Sequence, residues 1–537
     1  MKLDFTKNTK RNIIAGTVSR GIAMLFPFLN RTMFLWILGK GFLGLNGLFT
    51  GILGVLMLAE LGFGTAVVCS MYEPIARDDR HMVCAFMRFY RKIYRIVGAV
   101  IFTLGLCLLP FLRRLVKGDL PPGIDLHVLY LIHLVNTSLS YFLFAYRGSI
   151  LSAHHRNDVL TNIRTAVSVA QYLTVFAILL VKFLEPAEKY YGYVIATVCF
   201  TVIQNLLIMY ASKRLFPTIK PVGDLPPEKR KRVISDVGSI FMHKLGTVIS
   251  YQIDNVVISA CLGLGWVAVY GNYYYVYTTV AGIPAIIYST MMGGFGNKLH
   301  TQSKEENFEL FMRVCRMVGI VIIWCAAVML ALYQPFITVW MGPKGQTLVK
   351  HFLTPALLVV LFYVNQSRQV LLTIKGAAAL WKEDRWKPVV GGVVKLATCL
   401  LSVFLLSENY KLDGVIMSSI IGYALVQIPW ESHVVFTRFF DRKQGRIYWL
   451  HQLEFALLAM IPCGATLLAV LFIPKSVMIR LTFSRGATLL AELVIPLERS
   501  KGLIVKGVVA GVVSTAVMLI LFRRDMVEVM KKLLRRS

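Results

Sequence analysis

Charged side chains recur inside the long apolar stretches of this sequence, and their chemistry is the first feature that needs an explanation. Six are basic: Arg20, Arg31, Arg147, Arg368, Lys395 and Lys506. Three are acidic: Glu60, Asp254 and Glu431. A charge at the centre of a membrane-spanning helix costs roughly 2.5–3.5 kcal/mol, so such residues usually face protein or water and have a function. The excess of cations predicts an anionic cargo.

Arg20 and Arg31 have the spacing of a paired site. Eleven residues separate them, which is three helical turns and about 20° from one face. Pro27 lies between them, and it frees a backbone carbonyl and can bend a helix towards a cavity. Two stacked guanidinium groups suit a phosphate, which arginine binds through paired hydrogen bonds. The alternative is that each arginine extends to its nearer membrane surface.

The remaining charged positions allow two interpretations each. Arg147, Arg368 and Lys395 lie near helix ends, where extension to the membrane surface competes with a role in a cavity. Lys506 is interpreted as a helix-end residue. Each of the three acids either forms a static pair with a basic residue or is protonated and couples the flow of ions.

Catalytic motifs are absent from the sequence. It contains no GxxxxGK[ST], HExxH or GxSxG pattern, and its nine cysteines have no CxxC spacing. His154 and His155 stand alone in a short loop and are interpreted as solvated. We therefore expect a protein that is not an enzyme and that has no metal or cofactor.

The elements that carry the charged residues are predicted to be membrane-spanning helices. The chain of 537 residues is 56% hydrophobic and only 16% charged, whereas a soluble domain has roughly 25% charged residues. Apolar runs long enough to cross a bilayer recur at 13–38, 45–72, 96–112, 126–151, 166–184, 190–212, 247–264, 267–292, 317–337, 351–374, 388–407, 414–437, 455–473 and 503–522. The segment 474–502 is interpreted as an external segment near the interface. The predicted fold class is an all-α integral membrane protein with about 14 transmembrane helices.

The basic residues are distributed unevenly over this map. Well over half of the 58 Lys and Arg lie in the N-terminus, in the loops after even-numbered helices and in the C-terminus. Such an excess marks the cytoplasmic side, so both termini are predicted to be cytoplasmic. The formal charge of +30 is thereby explained by topology, and a nucleic-acid partner is not expected.

An internal match divides the chain into two halves. At an offset of 224, residues 38–49 align with 262–273, and both segments contain the glycine-rich turn after the first helix of a half. Arg20 then faces Lys244, and at an offset of 221 Arg147 faces Arg368. Because each half has an even number of helices, the repeats are predicted to be parallel, as in transporters that bind substrate between two halves.

The halves define the predicted domains. These are an N-lobe of six helices, a basic cytoplasmic linker, a C-lobe of six helices, and helices 13–14 with a basic tail, at 1–212, 213–246, 247–437 and 438–537. Two amphipathic basic stretches, 80–95 and 227–245, are expected on the inner membrane surface. Their role is either topological or the delivery of a lipid substrate.

Diffuse patterns over nearly the whole chain resemble the Wzx-type polysaccharide-transport flippases of the multidrug/oligosaccharidyl-lipid/polysaccharide (MOP) exporter superfamily, particularly those of Gram-positive bacteria. The segments that carry the resemblance are Arg31 with 38–45, 58–62, 90–94, 244–246, 254–259 and 270–273. In helix 11, where relatives tend to carry an acid and then an Asn, this chain has Gly392 and Lys395.

This resemblance implies two six-helix lobes around a central cationic cavity, plus two C-terminal helices. It implies a flippase that moves an undecaprenyl-pyrophosphate-linked oligosaccharide across the bacterial cytoplasmic membrane, with a polysaccharide polymerase and glycosyltransferases as partners. The cavity residues expected to balance the pyrophosphate charge are Arg20, Arg31, Lys244, Arg147, Arg368 and Lys395. Glu60, Asp254 and Glu431 are expected to couple ions or to pair charges.

Three other functions fit part of the pattern. An ion-coupled multidrug or metabolite antiporter is disfavoured because its cavity would lean acidic or aromatic. A membrane-embedded polysaccharide polymerase or ligase is disfavoured by the short external loops. A twelve-helix facilitator is disfavoured because the loop after helix 2, residues 73–80, contains no glycine.

Overall fold

A computed structural model gives the architecture of the chain. It describes residues 5–57, 63–117, 119–154, 156–231, 233–234, 252–299, 303–341, 349, 351–378, 380, 383, 386–473, 478–485, 488–496 and 500–523.

The chain is built from helices, as the fold class predicts. The first ten are α1 (Phe5–Leu38), α2 (Lys40–Leu56), α3 (Phe63–Ala76), α4 (Arg80–Leu108), α5 (Leu126–Phe142), α6 (Gly148–Ala153), α7 (Asn157–Leu180), α8 (Pro186–Leu215), α9 (252–261) and α10 (Leu264–Leu299). The others are α11 (Lys304–Met341), α12 (Leu353–Ala377), α13 (Lys387–Leu405), α14 (Lys411–Ile421), α15 (Ile428–Arg438), α16 (Arg442–Leu471) and α17 (Ser500–Leu521). A π-helical turn over Gly422–Gln427 joins α14 to α15.

Within the described residues, nine helices are long and apolar enough to cross a membrane. A tenth span is obtained if α5 and the segment Ala145–Ala153, which meet at a 45° bend, are counted as one broken span. The stretches Leu25–Leu38 and Lys40–Leu56 are apolar but shorter. The first five residues of the predicted seventh span, 247–251, lie outside the described residues, and the count of about fourteen stays a prediction.

Two antiparallel strands, β1 (Met478–Arg485) and β2 (Thr488–Pro496), occupy the segment that was expected to be an external loop. They are the one departure from an all-α architecture among the described residues. The sequence alternates apolar and polar residues at 479–484. This two-residue period favours a strand, but hydropathy averaged over a long window does not show the alternation.

Cα packing divides the chain into two compact units. The first contains residues 1–271 with 388–393, and the second contains residues 272–387 with 394–537. The lobe boundaries at 212 and 247 stay a prediction, as does the parallel relation between the lobes.

The backbone has a similar turn at the two glycines that the offset of 224 aligns. Gly39 ends α1 with a φ of 89°, and Gly263, 224 residues later, precedes α10 with a φ of 104°. Residues with a side chain rarely adopt a positive φ, so both turns require glycine. The helices that follow, α2 and α10, begin one residue later in each case, at Lys40 and Leu264.

Within the first unit these matched segments contact each other. A Cβ on Gly44 of α2 would lie 2.1 Å from the backbone oxygen of Leu264, and one on Gly47 would lie 2.9 Å from Val267. One on Gly51 would lie 3.2 Å from the backbone oxygen of Gln252. Small residues at such spacing let two helix backbones approach closely in a membrane. We call Gly44, Gly47 and Gly51 the glycine row.

Gly44→Ala is expected to lower the melting temperature of the purified protein, because the new methyl group forces α2 away from a backbone oxygen. Overpacking of this kind costs about 1–3 kcal/mol. Gly464→Ala in α16 is the matched control, since nothing lies within 4 Å of its Cβ position and alanine favours a helix over glycine. Equal melting temperatures for the two variants would contradict the close approach.

Candidate functional site

The centre of the second unit contains a buried ion pair. Arg368 on α12 donates from Nε to Glu431 Oε2 at 2.9 Å and from Nη2 to Oε1 at 2.9 Å. Glu431, on α15, is fully buried, and Arg368 is only 9% exposed. Paired donation from a planar guanidinium fixes the carboxylate in both distance and orientation. The charge-pairing role that the sequence leaves open for Glu431 is the one observed.

Two lysines add to this pair. Lys387, at the start of α13, also donates from Nζ to Glu431 Oε1. Lys375, near the end of α12, contributes to the positive field at the Glu431 carboxylate. Both lysines are fully buried. Two cations therefore contact the Glu431 carboxylate, and a third contributes to the field around it. We call Arg368, Lys375, Lys387 and Glu431 the cationic cluster.

Polar and aromatic neighbours hold Arg368 in place. Its Nη1 lies 3.5 Å from Asn365 Oδ1, and Asn365 Nδ2 donates to the hydroxyl of Tyr277 at 2.8 Å. The guanidinium also lies 5.1 Å from the centre of the Tyr423 ring, a contact that attracts a cation to the face of an aromatic ring. Tyr423 belongs to the π-helical turn, a geometry often found at functional sites.

Lys375 and Lys387 are not among the predicted site residues, because the predicted spans end at 374 and begin again at 388. In the structure α12 continues to Ala377 and α13 begins at Lys387, so both lysines belong to helices. One signal could have found Lys375. It lies seven residues after Arg368, which is two turns and nearly the same helix face.

In the first unit, Arg31 and Asp254 both lie against the N-terminal part of α10. A Cβ on Gly271 would lie 2.6 Å from Arg31 Nη2, so the guanidinium lies directly against α10. The adjacent Tyr270 donates its hydroxyl to Asp254 Oδ2 at 2.8 Å. Asp254 is buried, whereas Arg31 is half-buried.

Arg147 differs from its repeat counterpart Arg368. It lies just after the break in the fourth predicted span and is 7% exposed. Its guanidinium lies 5.9 Å from the Tyr146 ring, and Nε has no hydrogen-bond partner. No carboxylate of the described residues forms an ion pair with it. Since a buried charge is costly without compensation, Arg147 has unused capacity for an anionic ligand.

The other predicted site residues are only partly described. Lys395 on α13 is buried, and Lys506 on α17 is half-buried. Arg20 lies on α1, but its side chain is outside the described part of the structure. Glu60 and Lys244 lie outside the described residues altogether. Their predicted roles stay predictions.

Comparison with known proteins gives one family match and several structural matches. The model of a family described as "polysaccharide biosynthesis protein" matches residues 9–292, more than half of the chain. No curated protein sequence matches the chain.

Solved structures share the fold at low sequence identity. The lipid II flippase MurJ in an inward closed conformation matches with a TM-score of 0.62 and 14% identity, over 96% of this chain and 99% of that one. An inward-facing multidrug resistance transporter of the MATE family gives 0.59 and 14%, over 78% and 99%. A MOP superfamily transporter from Pyrococcus furiosus, described as having a binding pocket of reverse polarity, gives 0.56 and 12%, over 80% and 96%. The fold is therefore that of MOP superfamily transporters.

Glu431→Gln is expected to destabilise the protein strongly, because it leaves Arg368 and Lys387 buried without their counter-charge. Breaking a buried pair in this way costs about 3–5 kcal/mol. The control is Glu309→Gln, which removes an exposed ion pair with Arg313 and should cost about 0–1 kcal/mol. Melting temperatures in one detergent provide the comparison.

The double variant Arg368→Met/Glu431→Gln should lose less stability than the two single variants lose together, because the two residues compensate each other's charge. Simple additivity of the two losses would show that the pair makes no energetic contribution.

Proposed function

The chain belongs to the polysaccharide biosynthesis protein family, and from this premise we propose that it is a flippase for a lipid-linked oligosaccharide. The cargo would be an oligosaccharide on undecaprenyl pyrophosphate, moved across the bacterial cytoplasmic membrane for the assembly of a surface polysaccharide. Both termini would lie in the cytoplasm. Polymerase and glycosyltransferase partners would act on the cargo before and after transport.

The cationic cluster is the observation that carries this proposal. Arg368, Lys375 and Lys387 are buried on helices long enough to span a membrane, where charged residues are rare and usually have a function. A pyrophosphate diester carries negative charge and presents oxygen acceptors that arginine and lysine bind well. A cationic drug would be repelled by the same cluster, which disfavours a multidrug antiporter.

Glu431 supplies an internal counter-charge that the cargo can replace. While no pyrophosphate is bound, Glu431 neutralises Arg368 and Lys387, so these cations can remain buried. An arriving pyrophosphate would compete with Glu431 for the same donors, and Glu431 would recover them on release. Protonation of Glu431 would favour the cargo in this competition, which is a route to ion coupling.

Arg147 and Arg31 would contribute from the first half of the sequence. Arg147 is buried, and the described residues supply no carboxylate to it, so a phosphate would satisfy it. Arg20, Lys244 and Lys395 are proposed to add to the same positive field. Glu60 and Asp254 are proposed to pair charges or couple ions.

The glycine row supports alternating access. It joins the turns that follow the first helix of each repeat, at the end that the charge distribution assigns to the outside. Under the proposal, the two segments part and meet again as whole helices during transport. Transport rather than catalysis is proposed, in line with the transporters that share the fold.

Deleting the gene is expected to trap the lipid-linked oligosaccharide on the cytoplasmic leaflet and to remove one surface polymer. An added glycosidase, applied before and after the cells are opened, shows which leaflet holds the oligosaccharide. Normal surface polymer in a strain without a redundant transporter would overturn the proposal.

Arg147→Gln is expected to reduce transport about tenfold or more, because a charge-assisted hydrogen bond is worth roughly 1.5–3 kcal/mol. Arg147→Lys should retain part of the activity, since it keeps the charge but loses the paired geometry. Lys213→Gln is the control, because this exposed residue at the end of α8 is not among the proposed site residues. Restoration of surface polymer in the deletion strain measures transport, with membrane levels of each variant determined in parallel. Full activity of Arg147→Gln would remove Arg147 from the site.

A further inference from the structure

The two amphipathic basic stretches singled out in the sequence contribute to one groove. It has a volume of about 520 Å³ and lies between α4 and the segment 223–234, entirely within the first unit. The first stretch supplies Arg88 and Lys92, and the second supplies Arg230. The cationic cluster and Arg147 take no part in it.

A glycine turn builds the polar end of the groove. Gly223 has a φ of 84°, and its backbone oxygen accepts a hydrogen bond from Arg88 Nη1 at 3.2 Å. The neighbouring Asp224 forms an ion pair with the same nitrogen at 3.2 Å. The Arg230 guanidinium lies 5.8 Å from the centre of the Phe89 ring. These contacts position Arg88 and Arg230 and leave further guanidinium N–H groups available to bind a ligand.

Charge and hydropathy change along the length of the groove. Arg88, Lys92 and Arg230 outnumber the one carboxylate, Asp224, at the polar end. Further along α4 the lining is apolar, with Ile96 54% exposed. From Arg88 to position 100 the helix rises about 18 Å, which matches a polar headgroup followed by the upper part of an acyl chain.

The lining also lacks groups that recognise sugars. Its apolar members are Ala85, Phe89, Ile93, Ile96, Val97, Val100, Leu225 and Ile234, and Gly223 is the remaining uncharged member. No hydroxyl or amide side chain is present among these described lining residues. A sugar chain would find few partners here, whereas a phosphate would find three cations.

We propose that this groove binds the phosphate of an anionic phospholipid from the leaflet that the charge distribution assigns to the cytoplasm. Arg88, Lys92 and Arg230 contact the phosphate, and an acyl chain lies along Ile93, Ile96 and Val100. Basic pockets at the cytoplasmic ends of membrane helices bind such headgroups. The bound lipid would contact both α4 and the segment 223–234 and so hold them together. This inference does not depend on the flippase proposal.

The test uses the full-length protein in detergent with phosphatidylglycerol or phosphatidylcholine added, and native mass spectrometry to count bound lipids. The wild-type protein should prefer phosphatidylglycerol. Lys92→Gln/Arg230→Gln should reduce that preference about tenfold or more, because each basic residue near an anionic surface contributes to binding. Arg95→Gln/Lys213→Gln, which removes the same charge from exposed positions outside the groove, should keep it.

The conservative variant Lys92→Arg/Arg230→Lys guards against misfolding, since it should retain the preference that the double Gln variant loses. Equal loss in the double Gln variant and the exposed control would overturn the proposal, because it would show general electrostatics rather than a site. If the double Gln variant kept its preference for phosphatidylglycerol, the proposal would also be overturned. Recovery of a polyprenyl-linked saccharide instead of phospholipid would assign the groove to the cargo and also overturn it. Transport of oligosaccharide is a separate readout that none of these outcomes decides.

Discussion

The compensation of buried positive charge by Glu431 is the interaction on which the second unit depends. Arg368 and Lys387 form buried ion pairs with Glu431, and removing either side of such a pair leaves an uncompensated charge that strongly destabilises a protein. The group is held from α12, α13 and α15 together, so these helices must pack in one arrangement to satisfy it. Such a cluster specifies structure, and under the proposed function it also sets the affinity for cargo.

The two halves of the sequence use their matched arginines differently. Arg368 has an acidic partner and an aromatic ring, whereas Arg147 follows a break in its span and has no carboxylate partner among the described residues. The backbone turns at Gly39 and Gly263 therefore match, whereas the surroundings of Arg147 and Arg368 differ. Under the flippase proposal, this difference gives one half a regulated cation cluster and the other a more permanent anion contact.

Much of the architecture could be predicted from the sequence because membrane helices obey a strong hydropathy rule. The internal repeat was visible because glycine at a left-handed turn has no substitute, and Arg368 and Glu431 stood out because charges in apolar runs are rare. Lys375 and Lys387 were missed because helix ends predicted from hydropathy are uncertain by a residue or more. Each predicted span stopped one residue short of its lysine, so both lysines were assigned to a loop. The hairpin at 478–496 was missed because its period of two is invisible to a window designed for helices. The pairing of Arg368 with Glu431 joins residues 63 positions apart, and no local pattern encodes such a contact.

The π-helical turn over Gly422–Gln427 decides which way Glu431 points. A π turn takes up more residues per revolution than an α-helix does. If the same residues relaxed into a regular α-helix, everything beyond them would rotate by about 100°, the angle of one residue. Glu431 would then leave Arg368 and turn towards another neighbour. A single local rewinding could therefore switch the charge of the cluster without any change in its composition.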